Sequence, residues 1–154
     1  PPERRVSRFE RAAFANPVLR PFKDVCSAEF RRAEAPAANA HATAMGLARL
    51  YQSALAAGGR GLEVALREVV SGAREDLVLI GRHIRRSAAG FMLNRDHWYG
   101  PNAEAFGHDG AGGSYAFADP IAGISVAYVM NQMQVNSEVD LRGKDLLGAI
   151  YAAM

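Results

Sequence analysis

Four histidines, one cysteine and a run of glycines are the residues of this sequence that could carry chemistry. His41, His83, His97 and His108 show no pair at the spacing of a zinc-binding helix, and Cys26 lies far from His83, His97 and His108. No metal site and no cofactor is therefore expected. Asp96-His97 and His108-Asp109 are adjacent acid–imidazole pairs. Neighbours on a strand face opposite ways, so adjacency alone makes no dyad. Cys26 has neither His nor a carboxylate immediately beside it and reads as a structural thiol.

The densest combination is Gly107-His-Asp-Gly-Ala-Gly-Gly-Ser114. A phosphate loop would need Lys-Ser/Thr after its last glycine and then a helix. Here Ser114 follows Gly113 directly and a strand-like run comes next. The dinucleotide spacing fails as well, because Tyr115 stands where its third glycine belongs. Ser114 lacks the Gly-x-Ser-x-Gly elbow of an exposed nucleophile. What the glycines do allow is close approach of a ligand to backbone amides, and amides held in that way stabilise an oxyanion.

Several elements must hold this stretch. Residues 1–38 read as irregular, with prolines at 1, 2, 17, 21 and 36 and a short helix over 6–14. Asn39 is the expected N-cap of a helix over 40–57, in which Met45, Leu47, Leu50, Tyr51 and Leu55 recur at helical spacing. Gly58-Gly59 supplies its stop, and a second helix is expected from about Gly61 to Val70, ended by Ser71-Gly72. Asp76–Ile80 is a short apolar run, and the basic Arg82–Arg86 group after it reads as a solvated face. Ser87–Asn94 reads as a strand with a close-packed Gly90, and residues 95–105 as a polar loop. Trp98 and Tyr99 there suit either a pocket mouth or packing at the solvent edge.

A hairpin follows. Tyr115 and Phe117 share one face with Gly113, while Ser114, Ala116 and Ala118 take the other. Asp119-Pro120 with Gly123 makes the loop, Asp119 being read as a turn residue, and Ile124, Val126 and Tyr128 alternate in the return strand. Residues 140–154 read as a helix with Leu146, Leu147, Ile150, Tyr151 and Met154 in one stripe.

Composition bounds the function classes. The length suits one domain or part of one, and such a domain would bury roughly 68–70% of its unfolded surface. Net charge is +2, with eight basic and four acidic residues among the first 32. No aromatic–basic motif accompanies that excess, so no nucleic-acid partner is expected. No apolar run approaches a membrane span. A single cysteine excludes an internal disulfide, which leans toward the cytoplasm without fixing a compartment. Residue 1 is Pro, so the sequence is expected to begin inside a longer reading frame or after processing.

The stretch Phe106-Gly-His-Asp-Gly-Ala-Gly-Gly-Ser-Tyr-Ala-Phe-Ala-Asp-Pro120, with Gly123 and the run to Met130-Asn131, resembles the third motif of the serine β-lactamase-like superfamily. The branch it is most similar to is that of class C-like esterases and penicillin-binding-protein relatives. Asn39-Ala-His41 before the Leu-Ala-Arg-Leu-Tyr run, and Gly90-Phe-Met-Leu93, resemble supporting signatures, so the likeness runs from about Asn16 onward. The resemblance implies an α+β fold, the C-terminal part of a β-lactamase/transpeptidase-like domain, with antiparallel strands and flanking helices. Residues 1–154 would all belong to that one part: irregular over 1–38, helical over 39–75, strands and site loop over 76–138, and a C-terminal helix over 139–154.

The resemblance further implies that His108 takes the position of the lysine in Lys-Thr-Gly and faces the substrate. Gly110 would keep the strand bare, and the Ala111 amide would serve the oxyanion. His108 and Ala111 are the implied catalytic contributors, and His108, Gly110, Ala111 and Gly112 the substrate-binding set. The implied substrate is a small ester, amide or β-lactam. The family's Ser-x-x-Lys and Tyr-x-Asn are both missing. No serine is followed three residues later by Lys, and Tyr99/Asn102 and Tyr128/Asn131 are each one residue too far apart. The expectation is thus the C-terminal portion of a serine hydrolase, partnered by an N-terminal part of the same fold and inactive or unstable alone. The alternative is a non-catalytic binding or assembly module derived from that fold.

Overall fold

A computed structural model describes residues 8, 12, 18, 20, 23–35, 40–67, 87–94, 97–134 and 140–154. The chain divides into two compact units: residues 1–42 with 74–83, and residues 43–73 with 84–154.

In the first unit the described residues include helix α1 (Ala28–Arg32). Ser27 caps it by accepting the Phe30 amide through Oγ at 3.0 Å. Glu29 in the first turn and Arg31 and Arg32 in the last complement the helix dipole. This helix stands within the stretch read as irregular. The short helix expected over 6–14 lies outside the described residues except for Arg8 and Ala12, which are helical.

The second unit holds helices α2 (Ala44–Ala57) and α3 (Gly59–Leu66), strands β1 (Met92–Leu93), β2 (Phe106–Asp109), β3 (Tyr115–Asp119) and β4 (Ile124–Tyr128), and helix α4 (Leu141–Ala152). The strands form one antiparallel sheet in the order β1-β2-β3-β4. Thr43, rather than Asn39, caps α2, its Oγ1 accepting the Gly46 amide at 3.1 Å; Asn39 itself lies outside the described residues. Gly58, at φ +51°, ends α2 and starts α3. The second helix begins at Gly59 and ends at Leu66, where Arg67 turns extended, earlier than the expected stop near Val70; residues 68–86, with Ser71-Gly72, the 76–80 run and the basic group, are outside the described residues.

Strand alternation sorts the core onto two faces. Leu93, Phe106, Ala116 and Ala118 pack with Tyr51 of α2 and Ala65 of α3, with Leu47, Leu55, Leu62 and Phe91 at the margin. The opposite face carries Met92, Tyr115 and Phe117, which pack with Tyr99, Ala105 and Leu147 of α4, and with Val126, Tyr128 and Tyr151 beside them. The small side chains of Ala116, Ala118 and Ala127 let a helix approach one face. On the other, Gly143 leaves room for the Tyr115–Tyr128 stack: a Cβ there would lie 2.7 Å from the Tyr115 ring. Tyr115 Oη donates to Gly143 O at 2.7 Å.

Three expectations change. Gly90 is not in a strand; it sits in a turn at φ +86° with open space beside it. The side chain of Ser87 makes that turn, accepting the amides of Ala89 and Phe91, and only Met92-Leu93 pair with β2. Tyr99 lines no pocket mouth. It is buried and stacked on Phe117, with ring centroids 5.6 Å apart. Of the expected stripes, Met45, Leu50, Leu146 and Met154 face solvent, and Gly143 and Leu147 carry the buried face of α4.

Candidate active site

Strand β2 leaves the core as it runs. Phe106 and Gly107 are buried, His108 is exposed, and the chain then turns through the glycines. His108 pairs with Ala116, so its side chain lies on the face that carries Phe106. Its Nδ1 donates to Asp109 O at 2.6 Å. A carbonyl can only accept, so this bond assigns the Nδ1-H form to the ring, and in the neutral imidazole Nε2 carries the lone pair.

The turn itself is tight. The Gly110 amide donates to Ser114 O at 2.7 Å and the Gly113 amide to Gly110 O at 3.2 Å. A Cβ at residue 110 would lie 2.5 Å from Ser114 Oγ, so a side chain there would require the hydroxyl to turn away. Gly112 and Gly113 adopt φ +89° and +109°, values that only glycine reaches cheaply. Ala111 sits at the exposed tip, and among the described residues nothing accepts its amide. The exposed imidazole and the Ala111 amide, which like the Gly112 amide has no acceptor among the described residues, thus lie three residues apart at the end of β2. Together they can meet a polarised carbonyl or a carboxylate.

The structure brings His108, Gly110, Ala111 and Gly112 together, and leaves the other described histidines elsewhere. His97 lies in the loop after β1, at φ +56°. The Asn94 amide donates to Ala105 O, so that loop adjoins the opposite end of β2. His41 belongs to the other unit, where its Nε2 donates to Val25 O at 3.1 Å. His83 is outside the described residues. No group of three or more potential metal ligands occurs among the described residues, and no described helix is long and apolar enough to cross a membrane.

Residues that motif reasoning passed over support the site from behind. Met133 fills the space beside Gly112, and the Gln134 amide donates to Gly112 O at 3.0 Å. Asp140 is buried against Gly113 and caps α4 through the Arg142 amide. Arg142 pairs with both of its carboxylate oxygens, at 2.9 and 2.6 Å. The hydrogen bonds and charge of Arg142 hold the Asp140 carboxyl below the usual carboxylate range. The only sequence signal was an Asp just before a helical stripe. Asp119 is likewise more than a turn residue. It accepts the Ile121 and Ala122 amides, Asn102 Nδ2 at 2.8 Å and Tyr151 Oη at 2.5 Å.

Comparison with known proteins places the chain in a family. The beta-lactamase family matches residues 1–149. The esterase/beta-lactamase LipL of Mycobacterium tuberculosis (strain ATCC 25618 / H37Rv) is 37% identical over 105 residues, 66% of this chain and 24% of that protein. A family VIII carboxylesterase superposes with a TM-score of 0.81 at 38% identity, over 94% of this chain and 40% of that one. A penicillin-binding protein homolog from Caulobacter crescentus gives 0.74 at 42% identity, again over 94% and 40%. The chain therefore spans about a quarter of that curated relative and two fifths of each of those solved chains. The four-stranded antiparallel sheet with flanking helices is part of the β-lactamase-like fold, and the chain belongs to the beta-lactamase family.

Proposed function

We propose that residues 106–114 form one wall of an acyl-transfer site in a serine hydrolase acting on a small ester, amide or β-lactam. The chain would be the C-terminal part of the catalytic domain, and the nucleophile would come from a segment outside these 154 residues. The observation that carries this reading is the unspent Ala111 amide beside exposed His108, at the end of β2, in a chain of this family. The missing Ser-x-x-Lys and the two-fifths coverage of related solved chains support the division of labour.

In the reaction, a serine Oγ supplied by that segment attacks the substrate carbonyl and gives its proton to a neighbouring base. The carbonyl oxygen becomes an oxyanion, which the Ala111 N–H meets. Collapse expels the alcohol, amine or ring nitrogen, which takes up the proton, and leaves an acyl-serine; water then releases the acid and restores the hydroxyl. Bare Gly110 lets the substrate lie against the strand edge. His108 Nε2 accepts from a substrate N–H or O–H when neutral, and donates to a carboxylate or carbonyl oxygen when protonated.

The test is hydrolysis of a short-chain p-nitrophenyl ester by the complete gene product and its variants. Ala111→Pro removes the amide and is expected to lower kcat by about 10²–10³, as loss of one oxyanion donor does. His108→Ala should lower kcat/KM by at least roughly tenfold, the loss of one charge-assisted contact. Unchanged turnover in both variants would remove these residues from the site.

A further inference from the structure

We infer that Met133 and the Asp140–Arg142 pair are positioning residues that lock the glycine turn and so aim the Ala111 amide; the inference rests on the acyl-transfer reading above. The turn has little rigidity of its own. Gly110, Gly112 and Gly113 carry no side chains, and glycine samples wide backbone space when unrestrained. Three outside contacts remove that freedom. Met133 closes on Gly112 so tightly that a Cβ there would meet its Cε at 2.6 Å and its Cγ at 2.7 Å. The Gln134 amide donates to Gly112 O at 3.0 Å, tying the segment after β4 to the turn. Asp140 Cβ lies 2.6 Å from where a Gly113 Cβ would stand.

Asp140 is itself fixed. It is 1% exposed, it caps α4, and Tyr128 Oη donates to it at 3.4 Å. Arg142 grips both carboxylate oxygens and spends Nη2 a second time on Gln132 O at 2.9 Å. One guanidinium thereby joins the segment carrying Met133 to the N-terminus of α4. Those two elements close on Gly112 and Gly113 from behind, which leaves the tip at Ala111 as the exposed part of a held turn. A donor misplaced by about 1 Å can cost on the order of a hundredfold in rate, so such a clamp bears on kcat rather than on substrate binding.

The test uses the complete gene product with Asp140→Asn, Met133→Ala and Arg142→Lys, each checked for an unchanged fold by circular dichroism. Hydrogen–deuterium exchange is read on peptides spanning Gly110–Ser114, and kcat and KM on a p-nitrophenyl ester. Asp140→Asn and Met133→Ala should speed exchange in that turn by about tenfold or more and lower kcat roughly tenfold, with KM within about twofold. Arg142→Lys, which keeps the charge but not the fork, should fall between these variants and the wild type. Unchanged exchange in the turn overturns the clamp, as does exchange rising equally across the sheet. A loosened turn with unchanged kcat overturns the positioning role. Failure of Ala111→Pro to affect turnover overturns the underlying reading instead, and the exchange data identify which of the two has failed.

Discussion

The acyl-transfer wall proposed at His108 would need little side-chain chemistry. One imidazole ring is anchored by its own neighbour's carbonyl at 2.6 Å, and the Ala111 and Gly112 amides are left to donate. The glycines serve geometry. At Gly112 both the backbone, at φ +89°, and the space, filled by Met133, exclude a side chain. Gly112→Ala should therefore destabilise the fold by about 1–3 kcal/mol, the usual cost of a strained backbone conformation, measured by urea unfolding. A change under a few tenths of a kcal/mol would mean that Met133 yields freely and the turn is looser than described. The glycine turn that carries His108, Gly110 and Ala111 was legible in the sequence because a run of glycines ahead of an alternating strand is an unusual pattern; the roles given to these residues came from the family resemblance. Met133, Asp140 and Arg142 were not, since their contacts with the turn depend on a chain reversal that no local spacing encodes.

Among the elements, the hairpin and helices α2 and α4 read clearly because their signals are local, whereas α1 did not. Asp119-Pro120 and Gly123 mark a turn, Ala116 and Ala118 alternate with Tyr115 and Phe117, and Gly58 stops a helix. Strand β2 was less visible: Phe106 is its only large apolar residue, and the His-Asp-Gly after it looks like a turn. Strand β1 pairs through only two residues. The role of Asp119 was also hidden. It joins the β3–β4 turn to Asn102 and to Tyr151 at the end of α4, and is fully buried. Burial pushes its carboxyl up, but the hydrogen bonds from Tyr151, Ala122, Asn102 and Ile121 outweigh that and hold it below its ordinary value. Tyr151→Phe removes one donor to a buried carboxylate and should cost about 1.5–3 kcal/mol, the range for hydrogen bonds to charged groups. Chemical denaturation reads this directly, and an unchanged midpoint would mean that solvent replaces the hydroxyl.

For the molecule as a whole, these ionisations set a pH window. Asp119 and Asp140 have folded-state values below those of the unfolded chain. Their contribution is therefore full above about pH 4 and is lost as pH falls through the lower folded values. At the alkaline end, burial pushes Tyr51 up to about 12, and burial with the nearby Tyr128 and Asp140 pushes Tyr115 up to about 12. Their contribution is full below about pH 10, where unfolded tyrosine ionises, and is lost as pH rises toward the folded value. Stability followed by circular dichroism should be flat between these limits, and Asp119→Asn should shallow the acid limb. A fall in stability between pH 6 and 9 would point to other groups, because none of these four titrates there.

On the proposed reading, this chain carries the oxyanion wall of a serine hydrolase while another segment carries the serine. Labelling with a serine-directed phosphonate, followed by peptide mass spectrometry, addresses it most directly. The complete gene product should be labelled once, on a serine followed three residues later by lysine and outside residues 1–154, and the isolated 154-residue chain should take no label and turn over no p-nitrophenyl ester. A label on Ser114, or on any other serine of this chain, would contradict the claim, and so would a complete product that reacts nowhere.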